Sequence, residues 1–144
     1  MMIRRRRAFL ATLVLAAVLS SAPAAPTQAT IQRDVVGRPI ARQLCPIDWR
    51  QGAWHVKQLI RCAADRYGLS PEKALHIAWR ESRFSPIAYN PSGQAAGIYQ
   101  HLLRYWPERA AEFGFRNSSV FDARANIIVT MRMVHRFGWG PWGG

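Results

Sequence analysis

The sequence predicts a small, mainly α-helical domain of four to five helices, and three segments carry this prediction. In residues 52–67 apolar side chains recur at the spacing of one helix face, and Gly68 ends the segment. In residues 70–84 a serine cap and a proline at the first helical position begin a second helix. A last helix begins at Asp122 and carries apolar residues at helical spacing. A chain of 144 residues has room for one domain of this size.

The segments between these helices are interpreted from their turn residues. Residues 85–97 are rich in Pro, Asn, Ser and Gly, which predicts a loop or a short β-like excursion. A proline start and a glycine stop predict a short helix over residues 107–114. Trp106 before this helix, and Trp139 and Trp142 at the C terminus, are interpreted as core residues, with a ligand contact as the alternative.

The N-terminal part of the chain has the pattern of an export signal. Four arginines at positions 4–7 precede an apolar run at 8–19, and Ala22-Pro23-Ala24 offers a cleavage site, so residues 1–24 are interpreted as a signal peptide. The apolar run is shorter than the roughly 20 residues of a spanning helix, so no stable membrane insertion is expected after signal removal. Arg6-Arg7 also fits a twin-arginine motif, which leaves the export route open between Sec and twin-arginine.

The rest of the chain divides into two parts with a basic charge balance. Residues 25–44 are interpreted as a linker or N-terminal arm, and residues 45–144 as the folded domain. Loss of the four arginines at positions 4–7 takes the formal net charge from +12 to +8. A basic exported chain is attracted to polyanions such as the cell wall. Because the arginines are scattered rather than clustered in a stripe, no nucleic-acid partner is predicted.

Cys45 and Cys62 are the two cysteines of the chain. An even cysteine count in an exported chain predicts a disulfide between them, with two buried free thiols as the alternative. Neither cysteine lies in a Cys-His peptidase motif, and the four histidines show no metal-ligand spacing. Neither a metal nor a cofactor is therefore predicted.

Glu81 differs from the other seven carboxylates, whose positions suit helix caps and surface charges. Arg80 is rotated by about 100° from Glu81 around the helix. This position predicts a carboxyl beside apolar groups, without a helical salt-bridge partner, that keeps a proton available for catalysis. A half-exposed carboxylate at the edge of an amphipathic helix is the alternative interpretation. The helical neighbours of Glu81, none of them a cation, are Ile77, Ala78, Phe84 and Ser85.

Spaced motifs that begin at Glu81 resemble the signature of the lysozyme-like lytic transglycosylases. That family has a helix ending in Glu-Ser, then x-Phe-x-Pro-x-Ala-x-Asn/Ser, a Ser-Gly and a Gly-Leu-Met-Gln block. The resemblance covers residues 52–144 and is strongest to short secreted enzymes of Gram-positive actinobacteria, which are related in fold to resuscitation-promoting factors. The matching runs are Glu81-Ser82-Arg83-Phe84-Ser85-Pro86, Ala88-Tyr89-Asn90, Ser92-Gly93, Gly97-Ile98-Tyr99-Gln100, Phe121-Asp122-Ala123-Arg124-Ala125-Asn126-Ile127 and Gly138-Trp139-Gly140-Pro141-Trp142.

The resemblance implies a fold and a reaction. The fold is a mainly α domain of the α+β lysozyme superfamily, with four to five helices around a substrate cleft and Glu81 at its base. The reaction is cleavage of the β-1,4 bond between N-acetylmuramic acid and N-acetylglucosamine in peptidoglycan glycan strands, with a 1,6-anhydromuramoyl product. Glu81 would act as general acid and then as general base. Two alternatives stay open: a lysozyme-type muramidase that hydrolyses the same bond, and a non-catalytic cell-wall-binding protein.

The resemblance also implies substrate-binding residues and a location. Ser82 is expected to hold the Glu81 carboxyl or the helix end, and Tyr99 to stack on a sugar ring or to belong to the core. Asn126 is expected to contact an N-acetyl group, although Ala125 stands where the family has tyrosine. The protein is expected to be a monomer that is secreted or associated with the cell wall. The implied substrate-binding set is Ser82, Asn90, Gly97, Tyr99, Gln100 and Asn126.

Overall fold

The computed structural model of the protein describes residues 44–143. The predicted signal peptide and nearly all of the predicted arm lie outside the described residues. The prediction of a mainly helical domain with four to five helices is confirmed, since this part of the chain has four α-helices and a small sheet. The elements are α1 (Ala53–Arg66), α2 (Pro71–Ser82), β1 (Tyr89–Asn90), β2 (Ala95–Ala96), β3 (His101–Leu102), α3 (Trp106–Glu112) and α4 (Ala123–Phe137), with 3₁₀ turns at Trp49–Gln51, Leu103–Tyr105 and Gly140–Trp142.

Side-chain caps determine where α2 and α4 begin. Ser70 Oγ accepts a hydrogen bond from the backbone N–H of Lys73 at 3.2 Å. Asp122 Oδ1 accepts one from the backbone N–H of Ala125 at 3.1 Å. Each cap satisfies a backbone donor that the first turn of a helix leaves unpaired. Both predicted helix starts are therefore confirmed.

Helix α4 lies at the centre of the domain. Ten of its 15 residues are buried, and α1 packs against both α2 and α4 while α3 packs against α4. None of the helices within residues 44–143 has the length and hydropathy that a bilayer crossing needs. The core residues that α1 and α2 contribute are Val56, Leu59, Ile60, Ala63, Ala64, Ala74, Ile77 and Ala78.

The core interpretation of the three tryptophans is confirmed. Trp106, Trp139 and Trp142 are 6%, 9% and 8% exposed. The indole N–H of Trp106 donates to the Ser118 carbonyl and that of Trp142 to the Tyr99 carbonyl, each at 2.8 Å. Both buried indoles therefore have their hydrogen-bond partner inside the domain.

A three-stranded antiparallel sheet follows α2, with the strands in the order β1-β2-β3. Tyr89 of β1 pairs with Ala96 of β2. The backbone N–H of Gly97 donates to the Ala88 carbonyl at 2.9 Å, which joins the loop before β1 to the turn after β2. The predicted β-like excursion in residues 85–97 is confirmed and continues into β3. The sheet therefore brings the chain that leaves α2 against the turn between β2 and β3.

The predicted disulfide between Cys45 and Cys62 is confirmed. It joins the start of the described chain to α1. The Arg124 guanidinium on α4 donates hydrogen bonds to the carbonyls of Leu44, Cys45 and Ile47 at 2.5, 2.6 and 2.6 Å. The first described residues are therefore held covalently to α1 and by charge-assisted hydrogen bonds to α4.

Replacement of both cysteines by serine is expected to lower the free energy of unfolding by about 3 kcal/mol, because the disulfide restricts the unfolded chain over a separation of 17 residues. Urea unfolding of the wild type and of the Cys45→Ser/Cys62→Ser variant measures the difference. A reducing agent should destabilise the wild type and leave the variant unchanged. Equal stability of the two proteins would contradict this prediction.

Candidate active site

Glu81 lies in the last turn of α2, at the solvent end of the helix face that packs into the domain. Ala74, Ile77 and Ala78 on this face are buried, whereas the Glu81 side chain keeps 23% of its surface exposed. These residues precede Glu81 by seven, four and three positions, which places them on one face. The carboxyl therefore lies at the border between the core and the solvent, where a bound ligand can reach it.

Arg80 pairs with Glu81, so the expectation of a carboxyl without a salt-bridge partner is wrong. Arg80 Nε and Nη2 donate to Glu81 Oε1 at 3.1 and 2.8 Å. Adjacent side chains leave a helix in directions about 100° apart, but the long arginine side chain bends back to its neighbour. Within residues 44–143 no hydrogen bond reaches Glu81 Oε2. The two carboxyl oxygens are therefore different: Oε1 is held by the protein and Oε2 is open.

The chain turns sharply directly after Ser82. Arg83 and Phe84 have positive φ angles of 55° and 65°, a conformation that costs free energy in residues other than glycine. The Arg83 guanidinium lies 3.5 Å from the centroid of the Trp79 ring and donates to the Trp79 carbonyl at 3.2 Å. Trp79 is 48% exposed, so this contact with Arg83 lies at the surface of α2. The predicted helix to residue 84 ends at Ser82 because of this turn.

Ser82 and Asn90 make local contacts. Ser82 is buried, and its Oγ donates to the Ala78 carbonyl one turn earlier at 3.1 Å. Of its two expected roles, this contact corresponds to support of the helix end. Asn90 is exposed, and its Oδ1 accepts hydrogen bonds from the backbone N–H groups of Ser92 and Gly93 at 3.1 and 3.2 Å. Asn90 therefore shapes the turn between β1 and β2.

Gly97 has a packing role inside the protein. It is buried with a φ of +79°, and a Cβ at this position would lie 2.3 Å from Asn126 Nδ2 and 2.5 Å from the Val120 carbonyl oxygen. Glycine is required because the backbone passes against α4. The implied contact of Gly97 with substrate conflicts with this packing, since the space beside it is filled by the domain itself.

Asn126 is fully buried, with 0% of its surface exposed. Its Nδ2 donates to the carbonyls of Val120 and Ala96 at 3.0 and 3.5 Å, and its Oδ1 accepts from the Tyr99 N–H at 2.9 Å. The expected contact with an N-acetyl group conflicts with this burial and with these hydrogen bonds. Asn126 instead holds the turn between β2 and β3 against α4.

Tyr99 belongs to the core, which is one of its two expected roles. Its side chain is 0% exposed, and its hydroxyl donates to the Ala74 carbonyl of α2 at 3.0 Å. Burial raises the pKa of Tyr99 well above its ordinary value, so the phenol stays protonated. Stacking of Tyr99 on a sugar ring is therefore not compatible with its position.

Gln100 lies at the end of the turn between β2 and β3 and is partly exposed. Its φ is +48°, and its Nε2 donates to the carbonyls of Gly97 and Ala88 at 3.0 and 3.3 Å. Ala88 lies on the chain that leaves the Glu81 helix. These bonds connect the turn between β2 and β3 to the segment that follows Glu81.

Sequence reasoning missed the contribution of the C-terminal turn, Gly140–Trp142. The Trp142 carbonyl accepts a hydrogen bond from Arg80 Nη2, while the Trp142 indole donates to the Tyr99 carbonyl. Tyr99 in turn bonds to α2 through its hydroxyl. The turn is therefore connected to α2 at both of these points. Residues 80 and 142 are 62 positions apart, so no local sequence pattern connects them.

The family model of the transglycosylase SLT domain matches residues 58–137. This range is more than half of the 144-residue chain. The chain belongs to the SLT transglycosylase family. Membership supports peptidoglycan lytic transglycosylase activity and a peptidoglycan substrate at the level of the family, and the helical fold agrees with a small lysozyme-like SLT domain. No curated protein and no solved structure matches the chain significantly.

In this SLT domain His101 of β3 is buried in the core and contacts α3 and α4. It is 1% exposed, and its Nδ1 lies 3.2 Å from Arg109 Nη1 while its Nε2 lies 2.8 Å from Thr130 Oγ1. Because a guanidinium only donates, Nδ1 accepts and the ring proton is on Nε2. Burial, and secondarily the charge of Arg109, lower the pKa of His101 to about 3. The folded protein therefore holds a neutral histidine.

His101 is expected to make the domain less stable in mild acid. Between its folded pKa of about 3 and its ordinary value of 6.5, the unfolded chain binds a proton that the folded chain does not. Its contribution to stability is complete above this window and is lost as the pH falls through it, with a slope of up to about 1.4 kcal/mol per pH unit. The unfolding free energy of His101→Gln should fall less steeply with acid than that of the wild type. The exposed His76→Gln is the control, and equal slopes for wild type and His101→Gln would contradict the prediction.

A separate groove of about 240 Å³ lies between α3 and α4. Glu81 does not line this groove, so it is not the substrate cleft expected at that residue. Guanidinium groups lie near two exposed rings of its wall: those of Arg104 and Arg109 lie 4.6 and 5.2 Å from the centroid of Tyr105, and that of Arg136 lies 5.5 Å from that of Phe137. Its full lining is Tyr105, Glu108, Arg109, Glu112, Phe113, Met133 and Phe137.

Proposed function

We propose that this protein is an exported peptidoglycan lytic transglycosylase. It cleaves the β-1,4 bond between N-acetylmuramic acid and N-acetylglucosamine and leaves a 1,6-anhydromuramoyl end. The observation that carries the proposal is the Glu81 carboxyl, which lies at the border of the core of an SLT domain with one oxygen held and the other open. A carboxyl with this asymmetry is suited to transfer a proton in a fixed direction.

Glu81 acts first as an acid and then as a base. Protonated Oε2 gives its proton to the glycosidic oxygen as the bond to the anomeric carbon of the muramic residue breaks. The ionised carboxyl then takes the proton of the muramic 6-hydroxyl, whose oxygen forms the new bond to the anomeric carbon. No water is consumed and Glu81 is protonated again. The Arg80 guanidinium stabilises the carboxylate that exists between the two steps.

The remaining carboxylates favour a mechanism with a single acid. Glycosidases that hydrolyse their substrate commonly use two carboxyl groups that flank the bond. Asp48 caps the first 3₁₀ turn, Asp122 caps α4, Glu72 lies in the first turn of α2 and Glu112 pairs with Arg136. Each of these four carboxylates is therefore engaged at a helix start or in an ion pair elsewhere in the described part of the chain. An internal hydroxyl of the substrate then serves as the nucleophile.

Direct contacts with the glycan are proposed for Asn90 and Gln100, which keep exposed surface. Four other members of the implied set support these two from beneath. Gly97 and Asn126 hold the turn that carries Gln100 against α4, while Ser82 bonds within α2 and Tyr99 bonds to α2. This division separates residues that select the substrate from residues that maintain the shape of the site.

Export is part of the proposal. The signal peptide over residues 1–24 directs the chain across the membrane, by the Sec or the twin-arginine route, and the mature monomer is secreted or stays with the wall. The Cys45–Cys62 disulfide is typical of proteins that function in an oxidising compartment outside the cytoplasm. The net charge of +8 that remains after loss of the four signal arginines favours attachment to the anionic wall.

Hydrolysis of the same bond is the second candidate, because the exposed side of Glu81 also admits water. Mass spectrometry of the muropeptides that the purified exported protein releases from peptidoglycan tests both candidates. Anhydro-muropeptides, each lighter by one water than the hydrolysis product, are expected. Muropeptides with reducing ends would replace the proposal by a muramidase. Binding to the wall without release of any fragment would indicate a non-catalytic wall-binding protein.

A further inference from the structure

The pair between Arg80 and Glu81 is one part of a closed series of contacts. Arg80 Nη2 donates one hydrogen to Glu81 Oε1 and one to the Trp142 carbonyl. Trp142 Nε1 donates to the Tyr99 carbonyl at 2.8 Å, and the Tyr99 hydroxyl donates to the Ala74 carbonyl at 3.0 Å. Ala74 lies on α2, the helix that carries both Arg80 and Glu81. The series therefore begins and ends on the same helix.

This geometry removes the freedom that an exposed arginine normally has. The Arg80 side chain is 44% exposed, and an isolated surface ion pair of this kind contributes little to stability because ordering two long side chains costs entropy. Here the guanidinium is also fixed by a backbone carbonyl, and that carbonyl belongs to a turn whose tryptophan is buried. The orientation of Glu81 Oε1 is therefore set by the C-terminal turn.

We propose that Arg80 is a positioning residue for Glu81, held in place by the C-terminal turn, and that Oε2 is the oxygen that exchanges the proton with the glycan. The inference rests on the proposed function and adds to it the part of the chain that aligns the acid. Arg80 itself does not contact the substrate. Its loss frees the carboxyl to rotate, which lowers the rate of the chemical step more than it weakens substrate binding.

The decisive test compares Arg80→Ala with Arg83→Ala. Both variants remove one positive charge from the same end of α2, but Arg83 contacts Trp79 and not Glu81. We expect Arg80→Ala to lose about 100-fold in kcat with little change in KM, and Arg83→Ala to stay close to the wild type. Added guanidinium ion should restore part of the activity of Arg80→Ala in proportion to its concentration. Ammonium at the same ionic strength should not.

Two further variants keep the inference testable if Arg80→Ala does not fold. Arg80→Lys keeps the charge but lacks the planar guanidinium that binds both Glu81 Oε1 and the Trp142 carbonyl oxygen. We expect its kcat to lie between those of the wild type and Arg80→Ala. Trp142→Phe keeps an aromatic ring but removes the indole donor to Tyr99, and we expect it to lower kcat while Arg80 is intact. Thermal unfolding of each variant monitors the fold.

The outcomes separate this inference from the proposed function. If the wild type is active and the Arg80 variants are as active as Arg83→Ala, the positioning role is overturned and the proposed function stays in place. Lost activity in Arg80→Ala without any rescue by guanidinium, in a folded variant, would also overturn it. A wild-type protein that releases no muropeptide would contradict both.

Discussion

Glu81→Gln is expected to remove muropeptide release, with a loss of activity on the order of 1,000-fold, the range that general acid–base groups supply. The amide has the shape of the carboxyl but neither gives a proton to the glycosidic oxygen nor accepts one from the 6-hydroxyl. Folding should be unaffected because the side chain is partly exposed and its ion pair with Arg80 contributes little to stability. Turnover of peptidoglycan and thermal unfolding measured on the same sample check both statements.

The matched control for this substitution is Glu72→Gln. Glu72 lies in the first turn of the same helix, on its exposed side, and undergoes the same chemical change far from the site. It should retain full activity and lose less than about 1 kcal/mol, the value of a charge near a helix start. A folded Glu81→Gln protein with normal activity would assign the acid to another residue.

Gly97→Ala is expected to destabilise the domain by about 3 to 4 kcal/mol. The added Cβ would enter space occupied by the Asn126 amide and the Val120 carbonyl, at 2.3 and 2.5 Å, and the φ of +79° would be strained in alanine. Displacement of Asn126 would also cost the hydrogen bond to the Tyr99 N–H. Urea unfolding of the purified variant measures the loss.

Gly68→Ala separates the two causes of this loss. Gly68 also has a positive φ, +64°, but nothing lies within 4 Å of the position that its Cβ would take. Gly68→Ala should therefore lose only the backbone cost of about 1 kcal/mol. If the two alanine variants lost equal stability, close packing between Gly97 and α4 would not be the reason for the glycine.

The helices of this domain are predictable because their signals are local. Ser70 with the following proline, and Asp122 four residues before Asn126, cap their helices through bonds that span three residues. The apolar spacing of residues 52–67 likewise needs no knowledge of the rest of the chain. The end of α2 is less predictable, because the positive φ angles of Arg83 and Phe84 are not typical of those residue types.

The site is less predictable because its contacts join residues far apart in the sequence. Asn126 and Gly97 match the family pattern, yet both are buried and contact other parts of the domain. A motif match does not distinguish a residue that touches substrate from one that holds its neighbours. The contact between Arg80 and Glu81 is not predictable for another reason: the position of the Arg80 guanidinium depends on where the Trp142 carbonyl lies.

The central claim, that Glu81 cleaves the glycan without water, is tested most directly by a reaction in heavy-oxygen water. The wild-type protein digests purified peptidoglycan in this solvent, and mass spectrometry measures the label at the new muramic ends. We expect anhydro ends without label, because their oxygen comes from the 6-hydroxyl of the same sugar. Newly formed muramic ends that carry the heavy oxygen, in excess of the exchange at reducing ends in an enzyme-free control, would contradict the claim and show that water attacks the anomeric carbon.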